Sequence, residues 1–356
     1  MSYPEAEQSD PLSFVSTGKG EHVYIIVLNW NGWRDTIECL ESLIRLDYPN
    51  YTIVVCDNAS SDDSWDQIRR WVCGDVTASC TNRQLAHLIS PPVAKPIPSI
   101  SHSSPDASLN SPTPRCPLVL IQTGSNLGFA GGNNVGLRYA LSHTDCKYFW
   151  LLNNDTVVKA DSLSRMVEQM SSDQHLGICG STLLDYASPQ TIQTLGGKRY
   201  SSWNGRVLTR KHTMQLSSQS IDYVQGASML VRREFLETVG LMEEGYFLYF
   251  EEIDWAMRSR GRFRLGYAPL SIVYHKEGAS IGTHTRRQQR SLLAEHYATR
   301  NRLLFTRKFY PALVPSVLGC VILSFVHRLL VGDLSRARKI FAAAWEGLTC
   351  SKQSNY

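Results

Sequence analysis

The stretch VYIIVLNWNG, Val23 to Gly32, decides the fold. Six consecutive apolar residues, Val23–Leu28, offer hydrophobic side chains to both faces, as in a strand covered on both sides. They stop at the polar loop Asn29-Trp30-Asn31-Gly32, and a helical pattern runs from Asp35 to Leu46. Asp35 and Glu38 stand there in capping-box spacing. A doubly covered strand followed at once by a helix is the repeating unit of a parallel sheet.

The unit recurs along the chain. Thr52–Cys56 predicts a second strand and Asp62–Val72 a second helix. Leu118–Gln122 with Gly132–Leu141, then Tyr148–Leu152 with Asp161–Met170, add two more pairs. The alternation predicts an α/β chain with a Rossmann-like parallel or mixed sheet flanked by helices. Between Gly74 and Pro117, prolines mix with serines and periodicity is lost, which predicts an insertion, 74–117, that loops out. After Gly180 the pattern turns irregular. Short strands are expected at Ile221–Val224, Ser228–Val231, Phe263–Tyr267 and Ile272–Tyr274, and a helix at Glu251–Arg260. Residues 1–20 read as a flexible polar terminus, 21–285 as the main domain, and 286–356 as a helical C-terminal region.

A chain of 356 residues can bury one large core and a smaller appendage. Its 43% apolar and 19% charged residues exclude a disordered protein. The net charge of +4 is too weak to argue for a nucleic-acid partner; it suits a bound diphosphate or an anionic membrane surface. Nine cysteines without a C-x-x-C spacing predict neither a disulfide framework nor a zinc site. The first 20 residues carry no basic and apolar leader pattern, so the reading is cytoplasmic.

Tyr310–Val331 is the most apolar stretch, but Pro311, Pro315, Ser316, Ser324, His327 and Arg328 interrupt it. A buried or membrane-surface helix is therefore preferred to a spanning one. Its flanks, Arg300 to Lys308 on one side and Arg336 to Lys339 on the other, suit peripheral contact with the inner face of the plasma membrane. A helix packed on the core, or on a second subunit of a homodimer, is the other reading.

Ligands of open parallel sheets bind at the carboxyl ends of the strands. Three polar clusters fall there: Asn29 with Asn31, Asp57 with Asn58, and Asn153-Asn154-Asp155. Asp57 offers an acceptor to the N3–H of uracil or thymine; an Asx-turn or a helix cap explains it as well. The loop from Asn126 to Asn134, with Gly128, Gly131 and Asn133, joins a strand to a helix N-terminus that favours an anion such as a diphosphate, or it is a structural turn. Asp155 supplies a carboxylate for a divalent cation completed by substrate phosphates, and His275 a nitrogen ligand that would suit manganese. In Glu251-Glu252-Ile253-Asp254, three carboxylates follow the aromatic run Tyr246–Phe250. Acids against aromatic walls tend towards raised pKa values, which suits a general base, although acids at a helix start are favoured by the dipole alone. Glu251 and Asp254 share a face, Arg258 pairs with Asp254 by spacing, and Glu252 is the freer group.

Taken together, IIVLNWNG, CDNASSDDS, NLGFAGGNNVGL, LLNNDT, GASMLVRR, EEIDWAMR, VYHKEG and RNRLLF resemble glycosyltransferase family 2, especially its bacterial rhamnosyltransferase-like members. The pieces come in the family's order from Val23 to Phe305. The resemblance implies a GT-A fold and a nucleotide-diphosphate sugar donor, with a glycan or lipid-linked acceptor. It implies that Asp57 binds the base and that Asp155, with His275, holds Mg²⁺ or Mn²⁺. Glu252, and next Asp254, stands at the catalytic base. The expected chemistry is one displacement with inversion, and the first guess for the sugar is rhamnose from dTDP-rhamnose. Two departures bear on this. Asn153 replaces the first acid of the family's D-x-D, and Glu252 replaces an Asp. A nucleotidyltransferase would carry a glycine-rich basic loop after strand one, which is missing here; a non-catalytic sugar-binding or scaffold protein is the remaining alternative.

Overall fold

The computed structural model describes residues 20–109, 116–208, 221–277 and 291–350. Of the terminus expected at 1–20, all but Gly20 lies outside them, as does the boundary expected at 285.

The chain starts as its pattern predicts: β1 (His22–Asn29), α1 (Trp33–Leu43), β2 (Tyr51–Asp57) and α2 (Ser64–Cys73). β1 and β2 pair in parallel register, so Asn29 and Asp57 end side by side. The expected capping box is not formed. α1 begins at Trp33 behind Gly32 with no side-chain cap, and Asp35 and Glu38 instead hold Lys276 Nζ, each at 2.5 Å. The helix starts two residues early because its first turn is fixed by a tertiary ion pair and not by a local cap.

The described part of the insertion, 74–109, does not loop out. It lies against the sheet and adds an edge strand, β3 (Ser99–His102), before the short helix α3 (Pro105–Leu109). β3 pairs in parallel with β4 (Leu118–Gln122). Glu41 of α1, fully buried, receives Lys95 Nζ at 3.0 Å and the Val93 amide at 3.1 Å, which fastens the segment down. These polar contacts leave no hydrophobic period to read.

Next come α4 (Gly128–Leu141), β5 (Cys146–Asn153), β6 (Thr156–Val158), α5 (Ser162–Ser172) and β7 (Leu176–Asp185). After β8 (Ile192–Leu195), a small sheet forms from β9 (Gly197–Ser201), β10 (Arg206–Leu208) and β11 (Tyr223–Val224). β12 (Ser228–Arg232), α6 (Arg233–Val239), α7 (Glu251–Ser259) and β13 (Arg264–His275) complete the domain. β13 is one strand where two were expected, with its register slipping between Ala268 and Ile272 around Pro269. The main sheet runs β3-β4-β2-β1-β5-β12-β7-β13-β6, with β8 on β7. β12 enters antiparallel between β5 and β7, so the sheet is mixed.

Two apolar layers sandwich it. Val23, Ile25 and Val27 pack with Ile37, Leu40 and Trp71 on one face, and Tyr24 and Ile26 with Leu137 and Tyr139 on the other. Cys39, Cys56, Cys146 and Cys179 are buried in these layers, and burial pushes each thiol up to about 12. They serve as small hydrophobes. Three helices follow: α8 (Leu292–Phe309), α9 (Val314–Leu330) and α10 (Leu334–Thr349). The span Pro311–Leu330 is long and apolar enough to cross a membrane by length and composition.

Candidate active site

A cleft of about 490 Å³ opens where the strand ends of β1 and β5 meet the start of α7. Asn58, Asn126, Gly128, Asn154, Asp155, His275, Glu251 and Glu252 line it, so eight of the expected site residues are brought together from across the chain.

β13 pairs antiparallel with β6, setting His275 opposite Thr156. This places His275 Nε2 3.3 Å from Asp155 Oδ1. His275 Nδ1 lies 3.0 Å from Gln193 Oε1, an acceptor, so Nδ1 carries a proton and Nε2 is left facing the aspartate. Burial works against the Asp155 charge, but the His275 imidazole overrides it and holds the carboxyl below its ordinary range. The imidazole is also penalised by burial and is raised by Asp155. Asp155 Oδ1 is buried without a hydrogen-bond partner. An orphaned carboxylate oxygen beside an imidazole nitrogen suits a hard or borderline divalent cation. Among the described residues no group of three metal-ligating side chains occurs, so the pair supplies two protein ligands at most.

The acidic turn divides. Asp254 is fully buried and receives Arg258 Nε at 2.7 Å, Lys308 Nζ at 2.6 Å and the Tyr246 hydroxyl at 3.0 Å. It does not line the cleft, and a carboxylate saturated by two cations is not available as a base. Its expected place as second choice for the base is therefore withdrawn. Glu252 faces the cleft, and Gly226 N donates to its Oε1 at 3.2 Å. A Cβ at position 226 would meet that oxygen at 2.5 Å, so a side chain there would push the carboxylate aside. Glu251 is buried with Oε2 unpartnered. Burial pushes the Glu251 carboxyl well above its usual range, helped by the charges of Glu252 and Asp254. Burial also raises Glu252, with Lys198 pulling the other way.

The aromatic run before α7 is strained. Phe247, Tyr249 and Phe250 have φ of 64°, 68° and 79°, a region that costs a non-glycine residue about 1–3 kcal/mol. Two clamps hold it. Phe129 N donates to Phe247 O at 2.7 Å, where a Cβ on Gly128 would sit 2.2 Å from the same oxygen. Asn301 Nδ2 of α8 lies 2.7 to 3.0 Å from the carbonyls of Leu248, Tyr246 and Tyr249.

The other expected residues stand behind the wall. Asn29 is buried, donating to Asp57 Oδ1 at 2.7 Å and accepting from Thr36. Asp57 is 2% exposed, and its Oδ1 also receives Ser60 Oγ at 2.6 Å, so the turn reading is realised. Asn31 Oδ1 caps the amide of Ser61 at 2.7 Å. Asn133 bonds Phe129 O, and Gly131 packs where a Cβ would meet Leu127. Sequence reasoning missed Gln193, Lys198 and Asn301. Only Asn301 carried a signal, inside the piece Arg300-Asn301-Arg302 that the resemblance includes.

The sequence profile described as Glycosyl transferase family 2 matches residues 24–77 and 114–240. The low-salt glycan biosynthesis hexosyltransferase Agl10 of Haloferax volcanii is 26% identical over 141 residues, 39% of this chain and 45% of its own length. The chain thus spans under half of that relative. An N-acetylglucosaminyl-diphospho-decaprenol L-rhamnosyltransferase of Mycobacterium tuberculosis is 26% identical over 220 residues, 55% of this chain and 70% of its own. Among solved structures, mannosyltransferase PcManGT from Pyrobaculum calidifontis, in complex with GDP-Man and Mn²⁺, superposes with a TM-score of 0.50 at 14% identity. That superposition covers 93% of this chain and 88% of the other, and at this identity it shows a shared fold of the GT-A glycosyltransferase kind.

Proposed function

The chain belongs to glycosyl transferase family 2, and from that premise we propose that it transfers a sugar, with inversion, from a nucleotide-diphosphate donor to a hydroxyl of a glycan or lipid-linked acceptor. One observation carries the reading: a single cleft holds both the Asp155–His275 pair, with its orphaned oxygen, and a cleft-facing carboxylate, Glu252, raised by burial.

Asp155 and His275 are the residues that would hold Mg²⁺ or Mn²⁺; the ion, when bound, neutralises charge on the departing diphosphate. The strand-end loops receive the nucleotide. Asp57, behind the wall, acts through the loop it ties together, with Asn29 at 2.7 Å and Ser60 Oγ at 2.6 Å on its Oδ1. Asn58 and Asn126 line the cleft beside the N-terminus of α4, where the diphosphate is favoured. Glu252 takes the proton from the acceptor hydroxyl as that oxygen attacks the anomeric carbon, and the nucleoside diphosphate leaves from the opposite side. The Gly226 amide and the strained loop ahead of α7 keep Glu252 aimed. Rhamnose from dTDP-rhamnose is the first donor to try, because the mycobacterial relative is a rhamnosyltransferase by name.

The test is turnover and binding of dTDP-, UDP- and GDP-sugars, with Mg²⁺, Mn²⁺ or chelator, on the wild type and Glu252→Gln. Metal-dependent turnover of one donor, abolished in Glu252→Gln with donor binding intact, is expected. A chain that binds no donor would be a scaffold instead.

A further inference from the structure

α9 is the most apolar helix of the chain, yet little of it is covered. Val317 and Val321 pack with Leu303 of α8 and Ile340 of α10. The opposite side points outward, with Leu323 70% and Leu330 81% exposed and Val326 between them on one stripe. α10 extends this surface. Phe341 and Trp345, one turn apart, are both exposed, and the Phe341 ring meets Phe325 of α9 at 6.2 Å. At the start of α9, Ser316 Oγ donates to the carbonyl of Trp203 at 2.7 Å, fastening an exposed indole in the β9–β10 turn to the edge of the stripe. An apolar surface that continues across two helices marks an interaction site.

The charges choose its partner. α9 contains no acid. The acids that bound α10 are spent in ion pairs, Asp333 with Arg328 and Arg336, Glu346 with Arg300. Arg338 and Lys339, exposed just before Phe341, carry the charge this surface presents. An apolar face edged by tryptophan and cations matches anionic lipid: the side chains enter the headgroup boundary while the cations meet phosphate. We propose that the α9–α10 face seats the protein on an anionic bilayer surface, with α9 lying along that surface. A crossing by α9 would strip Val317 and Val321 from their partners and break the pair of Arg328 with Glu295, now at 3.3 Å.

The surface adjoins the cleft. Val207 of β10 and Leu293 of α8 are exposed and also line the cleft. Leu293 belongs to α8, which packs on α9, and Val207 follows the β9–β10 turn in which Gly205 stands against Val317. A lipid-linked acceptor in that membrane would reach Glu252 past an apolar border. This last link rests on the transfer reading above; the membrane face does not.

The full chain is sedimented with phosphatidylcholine vesicles with and without phosphatidylglycerol. Binding that needs phosphatidylglycerol is expected. The double variant Leu323→Glu/Leu330→Glu should bind at least roughly tenfold more weakly, and Arg338→Glu/Lys339→Glu should lose the preference for the anionic lipid. Both should keep the wild-type circular dichroism. Three results would each overturn the proposal: wild type left in the supernatant, binding indifferent to both variants, or a dimer in solution that Leu323→Glu/Leu330→Glu dissociates, which would give the face to a second copy. Bound protein that resists carbonate extraction would overturn it as well, in favour of a spanning helix. Vesicle binding without turnover of any donor would leave this inference standing and remove the transferase reading.

Discussion

Asp155 and Glu251 are both buried carboxylates on one cleft, yet the protein holds them in opposite directions. Asp155 sits 3.3 Å from His275 and is kept below the ordinary range. Glu251 has an unpartnered oxygen and Glu252 as its neighbour, and it is pushed well above. Burial penalises both charges alike; the nearest charged group decides the outcome. Asp254 repeats the lesson one turn along α7, where Arg258 and Lys308 make a buried acid into a fastening. Buried acids therefore differ according to the partner each has: one beside an imidazole, one with an unpartnered oxygen and one clasped by two cations.

The sharpest way to break that division is Asp155→Asn, which removes the charge and keeps the shape. Donor turnover with Mn²⁺ should fall about 10³-fold or more, the several kcal/mol expected of metal-assisted charge stabilisation. A loss below tenfold in steady-state rates would move that role elsewhere. Glu252→Gln comes next, with kcat down about 10²- to 10⁴-fold and donor KM nearly unchanged.

The pH profile sharpens the same point. A base must be unprotonated to act, and the Glu252 carboxyl is raised. Activity should therefore be lost as pH falls through a value above the usual glutamate range, and this acid limb should be absent from the residual rate of Glu252→Gln. A wild-type limb within the ordinary range would contradict the burial argument.

Arg258→Met tests the strut. It leaves Asp254 with one cation fewer at a buried site and should cost roughly 3 kcal/mol of stability, read from the denaturant midpoint. The smallest effect belongs to Glu251→Gln. Its raised carboxyl stays neutral in the folded protein while the unfolded chain ionises, so wild-type stability is full below the unfolded-state value and is lost as pH rises from there through the folded one. The variant should thus gain thermal stability over wild type as pH increases, and a constant difference across the pH range would show that Glu251 carries no such cost.

Much of the fold was legible. Val23–Leu28, Thr52–Cys56 and Tyr148–Leu152 are strands covered on both faces, and such strands announce themselves as unbroken apolar runs. β7 escaped because Gly177, Gly180, Ser181 and Thr182 interrupt its run. The two glycines make room for Phe235, Phe263 and the Gly196 carbonyl, which other segments of the chain bring in. β3 escaped for a related reason: only one of its four residues is buried, so an edge strand among prolines shows no alternation.

The site shows the same boundary. The chain itself wrote down the strands that end in polar clusters and the acidic turn after an aromatic run, because both are local patterns with local causes. Folding alone decided which acid became which. The approach of His275 to Asp155 depends on a β6–β13 pairing that joins His275 to Thr156, and the capture of Asp254 depends on Lys308 from a helix 54 residues on. The clamp on the strained loop comes from Asn301 in that same helix. A carboxylate's charge is set by what surrounds it within a few ångströms, and those neighbours are assembled only when the chain closes on itself.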